Sequence, residues 1–140
     1  MVIVENAVDI RRSPEEVFDY CTDILREPDW NPRTRRVDKL TEGPISLGTR
    51  FEGEWIKGNP MVIEYVRFER PTLWASVGRS PRLDATSEGR VSATPDGAHL
   101  TIRMDLRPRG LLTLLLPLMR RSMHRREDRN LATIKAILEG

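Results

Sequence analysis

The sequence predicts an α+β domain: a strongly curved antiparallel sheet of about seven strands around one long C-terminal helix, with a short helical segment after the first strand. Three observations lead there. Most of the chain before Gly110 is short alternating stretches separated by Gly, Pro, Asn and Asp signals. The turns between them are of hairpin length, which implies antiparallel neighbours. The stretch Gly110 to Glu139 is then the only element long enough to cover the apolar face of such a sheet.

Taken in order, Val2, Val4, Asn6, Val8 and Ile10 alternate with Ile3, Glu5, Ala7 and Asp9, so Met1 to Ile10 reads as a strand. Ser13-Pro14-Glu15-Glu16 is a helix start, with Ser13 and Glu16 at capping-box spacing and Pro14 at the first helical position. Val17, Phe18, Tyr20 and Cys21 give that helix its apolar side, and Asp23 to Leu25 adds a turn. Glu27-Pro28-Asp29-Trp30-Asn31-Pro32 punctuates the chain, its prolines favouring extended backbone beside Trp30. Strands follow at Thr34 to Leu40, Thr49 to Lys57 and Met61 to Glu69, with Gly58-Asn59-Pro60 as a hairpin turn. Further strands are read at Leu73 to Val77, at Leu83 to Ala93 (weakened by Gly89) and at Ala98 to Arg107. Gly78 to Pro81 is a loop or bulge. In the last strand Leu100, Ile102, Met104 and Leu106 alternate with polar residues. Pro117 predicts a kink early in the final helix.

Composition sets the class. A chain of 140 residues with 39% hydrophobic and 31% charged residues suits one globular domain, residues 1–140. A formal net charge of +2 gives no general reason to bind nucleic acid. Cys21 stands alone, so no internal disulfide forms. The start lacks the basic and apolar regions of a signal peptide, and Leu111 to Met119 is too short and interrupted to span a membrane. A cytoplasmic protein is expected. No metal spacing, Walker motif, dinucleotide fingerprint or Gly-x-Ser-x-Gly occurs, and no cofactor is expected.

Several short motifs in this order carry a resemblance. They are Ser13-Pro14-Glu15-Glu16-Val17-Phe18, Trp30-Asn31-Pro32, Leu47-Gly48-Thr49, Val66-Arg67-Phe68-Glu69-Arg70-Pro71, Asp96-Gly97-Ala98-His99-Leu100 and the closing Leu131 to Glu139. Together they resemble the START-like (Bet v 1-like, SRPBCC) superfamily, in its polyketide cyclase/dehydrase-type branch. The resemblance implies a helix-grip fold whose curved sheet encloses a cavity against the C-terminal helix. It implies an apolar or amphipathic ligand such as a lipid or polyketide, and in some members a cyclisation. It carries over no catalytic residue.

Candidate ligand-binding residues follow from side-chain direction and from that resemblance. Phe51 and Trp55 share one strand face, and Met104 stands on the apolar face of the last strand. Leu112, Leu115, Leu116, Met119, Met123, Ile134 and Ile137 form one helical stripe. Pattern alone favours a filled core, and the resemblance turns the reading toward a pocket. Glu127 and Asn130 lie on the Met123 side of the helix, as ligand-orienting or acid–base groups or, more blandly, as partners of a strand arginine. In Met61 to Glu69 the parity is open: Val66 and Phe68 inward would bring Glu64 inward and leave Ile63 and Tyr65 as an outer patch. Trp74 is equally ambiguous. Trp30, where the family places its cavity mouth, is a gate or a plug. The ligand-binding set is therefore Trp30, Phe51, Trp55, Glu64, Phe68, Met104, Leu115, Met119, Met123, Glu127 and Asn130, with no metal ligand. The expected partner is a small hydrophobic molecule, held by a monomer or homodimer and used by a carrier or by a cyclase/aromatase. Arg120, Arg121, Arg125 and Arg126 read first as a solvated helix back and second as a membrane-facing surface.

Overall fold

Alternation along the strands builds one sheet with a covered face and a wet face. The computed structural model describes residues 1–140. The strands are β1 (Val2–Ile10), β2 (Arg36–Lys39), β3 (Arg50–Ile56), β4 (Asn59–Glu69), β5 (Leu73–Arg79), β6 (Leu83–Thr94) and β7 (Gly97–Pro108). All neighbours are antiparallel, in the order β1-β7-β6-β5-β4-β3-β2. The sheet curves strongly. Register shifts between Glu54 and Ile56 in β3 and between Tyr65 and Arg67 in β4 are bulges of the kind that bend a strand.

The second bulge answers the parity question in β4. Before it Met61, Ile63 and Tyr65 face the core; after it Phe68 does, while Val66 is 45% exposed. Tyr65 and Phe68 are thus both inside, in edge-to-face contact at 5.4 Å. Tyr65 is buried and makes no outer patch. Trp74 is buried too, and lies across Gly89, where an added Cβ would meet its ring at 2.1 Å. Gly89 is therefore a seat for the indole, and β6 runs through it unbroken. The remaining boundary differences are small: β5 extends through Gly78 to Arg79, and β4 already begins at Asn59.

Helix α1 (Pro14–Thr22) starts on the expected capping box, with Ser13 Oγ accepting from the Glu16 amide at 3.2 Å and donating to Glu16 Oε1 at 3.1 Å. The segment after it differs from expectation. Ile24–Asp29 forms a 3₁₀ turn with Pro28 inside it, in place of extended backbone. Pro can sit there because a short 3₁₀ turn has few internal amide bonds to lose.

The C-terminal stretch is three pieces: α2 (Leu112–Leu115), a 3₁₀ turn (Leu116–Met119) and α3 (Arg120–Glu139). The break falls at Pro117, as a helix-interior proline requires. Helix α3 runs alongside the edge strand β1 and in the same direction. Arg120 Nε donates to the Ile3 carbonyl at 3.1 Å and Lys135 Nζ to the Asp9 carbonyl at 2.8 Å. At the far end the Arg11 amide donates to Glu139 Oε2 at 2.9 Å. The lengths match, since Ile3 to Arg11 spans about 26 Å as strand and Arg120 to Glu139 about 28 Å as helix. These contacts use backbone groups on the free edge of β1, where another chain would otherwise pair. In the middle, buried Asn6 donates to the His124 carbonyl at 3.1 Å and to Asp128 Oδ1 at 2.7 Å.

Two apolar clusters form on the covered face. The larger joins Phe18 of α1, Phe51, Tyr65, Trp74 and Leu100 of the sheet, and Leu131 and Ile134 of α3. The smaller joins Val2, Val4, Met61, Leu83, Leu106 and Leu116.

Candidate functional site

Between the two clusters, one cross-strand row of the covered face is Val4, Met104, Ser87, Ser76 and Tyr65. Its middle is small and polar where a filled core would place large apolar side chains. Met104 belongs to neither cluster, and both it and neighbouring Ile102 are only half-buried although β7 is an interior strand. Other small residues on this face are already occupied: the Trp55 indole lies over Gly53, and the Met61 side chain over Gly78.

The polar groups gather at the 3₁₀ turn after α1. Trp55 Nε1 and Thr34 Oγ1 both donate to Glu27 Oε2, the latter at 2.8 Å. Burial raises the Glu27 carboxyl to about 7, against the lowering effect of those two donors, and the charge of Glu127 adds to the rise. No protein donor reaches Oε1. In its neutral form the acid can therefore present a proton there. Glu127, on α3, is itself raised by burial, opposed by Asn130 and Arg126. Asn130 is buried and donates to Glu127 Oε1 at 3.3 Å. Beside Glu27, the Tyr65 hydroxyl donates to the Thr22 carbonyl at 2.7 Å, and burial holds it well above its ordinary pKa. Within the same segment Tyr20 Oη, Asp23 Oδ1 and Trp30 Nε1 are buried with no partner. Buried polar atoms without partners are rare in folded proteins, and three lie in eleven consecutive residues here.

The expected site residues separate into groups. Trp30, Trp55, Glu127 and Asn130 belong to this polar region or touch a member of it. Met104 and Met123 are half-buried on the inner side. Phe51 and Phe68 are aromatic core, packed edge-to-face against Tyr65. Three residues are placed elsewhere. Glu64 is exposed on the outer face, because the bulge, which lies beyond it, lets Tyr65 and Phe68 both turn inward without carrying Glu64 along. Leu115 and Met119 also face outward; the 3₁₀ turn at Leu116–Met119 advances about 120° per residue and breaks the 100° stripe. Only Leu116, and partly Leu112 and Met123, remain turned to the core at this end.

Glu27 was missed by sequence reasoning because it sits among turn residues. A carboxylate three residues before Trp30, in a stretch that must fold back over the sheet, was the available signal. Cys21 is packed in the larger cluster, and burial pushes its thiol up to about 12, which removes it as a nucleophile. No group of three His, Cys, Asp or Glu side chains comes together as a metal site.

Comparison with known proteins places this geometry. The sequence profile described as "Polyketide cyclase / dehydrase and lipid transport" matches residues 1–139. No curated protein matches the sequence. Among solved structures, a START superfamily protein from Mycobacterium smegmatis superposes with a TM-score of 0.79 at 13% identity, covering 99% of this chain and 98% of that one. The Zhui aromatase/cyclase from Streptomyces sp. R1128 superposes with a TM-score of 0.75 at 18% identity, covering 98% and 93%. A hypothetical protein from Helicobacter pylori gives 0.77 at 14% identity, covering 97% and 87%. At these identities the likeness is one of fold.

Proposed function

Since the chain belongs to the polyketide cyclase/dehydrase and lipid transport family of the START-like superfamily, we propose that it binds a small amphipathic molecule between the sheet and α3. The apolar body lies against Trp55, Met104 and Met123, and the polar end meets Glu27. The observation that carries this reading is the Glu27 carboxyl: buried, raised to about 7 and anchored through one oxygen, in a segment where Tyr20 Oη and Trp30 Nε1 are also buried without partners. A hydroxyl or carbonyl on a ligand completes those hydrogen bonds at little cost, because the protein groups are already desolvated.

The test is a thermal-shift panel of fatty acids, sterols and polycyclic phenols. A binding member raises the melting temperature by about 5 °C or more at saturation. Glu27→Gln, which keeps an acceptor for Trp55, weakens that ligand about tenfold through loss of one hydrogen bond to a buried group. A panel that shifts nothing, at either pH 6 or pH 8, counts against the proposal.

A second reading has one observation of its own. A carboxyl poised at about 7 can take and return a proton at neutral pH. This suits a cyclase or aromatase acting on a polyketide-like substrate, with Glu27 as the acid–base group in place of Glu64. Turnover whose pH profile loses a limb near 7 in Glu27→Gln distinguishes it from simple binding.

A further inference from the structure

The turn from β7 into α3 leaves a surface that the interior does not use. Leu111, Leu114, Leu115, Leu118 and Met119 are 78%, 72%, 51%, 83% and 36% exposed. All five project to solvent from the α2–3₁₀ segment, while Leu116 among them is buried. Such an exposed apolar cluster on a surface helix marks a contact with another phase or molecule.

The charge around it selects the partner. From Leu106 to Arg126 the chain has no acidic residue and six arginines. Arg107 and Arg109 are paired with Asp105 and Asp84, at 3.6 and 2.9 Å. Arg120, Arg121 and Arg125, by contrast, have no carboxylate within 4.0 Å; they line, with His124, Ile3 and Val4, a surface cleft of about 480 Å³ that follows directly on the leucine face. The next acids on α3 are Glu127, which accepts from Asn130, and Asp128, which accepts from Asn6. An apolar face bordered by uncompensated arginines matches an anionic bilayer surface, acyl region against the leucines and phosphates against the guanidinium groups. A second copy of the chain would bring like charges together. No helix is long and apolar enough to cross a membrane, so the segment lies in the interface.

We propose that Leu111, Leu114, Leu115, Leu118 and Met119 dock the protein on an anionic phospholipid surface, with Arg121 and Arg125 on the headgroup phosphates. The inference is independent of what the interior holds. It is tested by sedimenting the full chain with vesicles of phosphatidylcholine alone, or mixed with phosphatidylglycerol, at low and high salt. The expected result is binding to the mixed vesicles, released by salt. Arg121→Glu/Arg125→Glu lowers the partition coefficient by more than tenfold, since each arginine near the surface contributes about fivefold. Leu114→Ser/Leu118→Ser abolishes binding at an unchanged melting temperature, because both side chains are exposed. Equal sedimentation with both vesicle types, or none, overturns the proposal. So does light scattering that shows a dimer dispersed by Leu114→Ser/Leu118→Ser, which would assign the face to a second copy.

Discussion

Glu27 carries two donors on one oxygen and none on the other, and burial raises it to about 7 from an ordinary 4.5. Between those values the folded chain holds a proton that the unfolded chain lacks, so stability falls as pH rises through the window. Glu27→Gln removes that slope. Urea denaturation at pH 5 and pH 8 should show wild type losing stability between them and the variant losing much less, keeping only the smaller effect of buried Glu127. The variant gains roughly 1–3 kcal/mol on wild type at the higher pH. Gly89 makes a second residue-scale test. An added Cβ would stand 2.1–2.4 Å from three atoms of the Trp74 ring, so Gly89→Ala overpacks a buried indole and costs about 1–3 kcal/mol by urea midpoint. Neither role was visible in sequence: Glu27 looked like a turn residue, and Gly89 like a weak point in a strand.

At the scale of elements, the pairing of α3 with β1 is what sets the helix against the sheet. Its last turn depends on Glu139, which Lys135 at 2.6 Å and the Arg11 amide and guanidinium hold at about 2. That contribution is fully present above about 4.5 and is lost as pH falls toward about 2. The protection factors of the Ile137 to Gly140 amides, taken relative to their intrinsic exchange rates, should therefore fall as wild type is acidified through that range. In Glu139→Gln they should be low and flat. The order of elements was legible because it rests on periodicity and on Pro, Gly and Ser13-type signals, all of them local. The capping box and the break at Pro117 were legible for the same reason. The β4 bulge was not, since strict alternation cannot place Tyr65 and Phe68 on one face; only the register against β5 reveals the extra residue. Likewise the outward turn of Leu115 and Met119 follows from a 3₁₀ phase that a 100° projection does not contain.

Over the whole molecule, a curved sheet closes on a helix, yet its apolar residues divide into two clusters with Met104, Ser87 and Ser76 between them. Sequence pattern identified the inner face but not this division, nor the seating of Trp74, Trp55 and Met61 over glycines. The polar end of the site comes from the 3₁₀ turn after α1, from β3 and from α3, brought together only by closure of the fold. In the proposed function an amphipathic ligand lies along Met104 and its polar end reaches Glu27. The most direct test is native mass spectrometry of the full chain purified without denaturant, in parallel with Met104→Trp, whose larger side chain would take the ligand's place. The expected result is a retained small molecule on wild type, released on collisional activation, and its absence from a folded Met104→Trp. A wild type that carries no added mass and binds nothing offered, while Met104→Trp melts at a higher temperature, would contradict it.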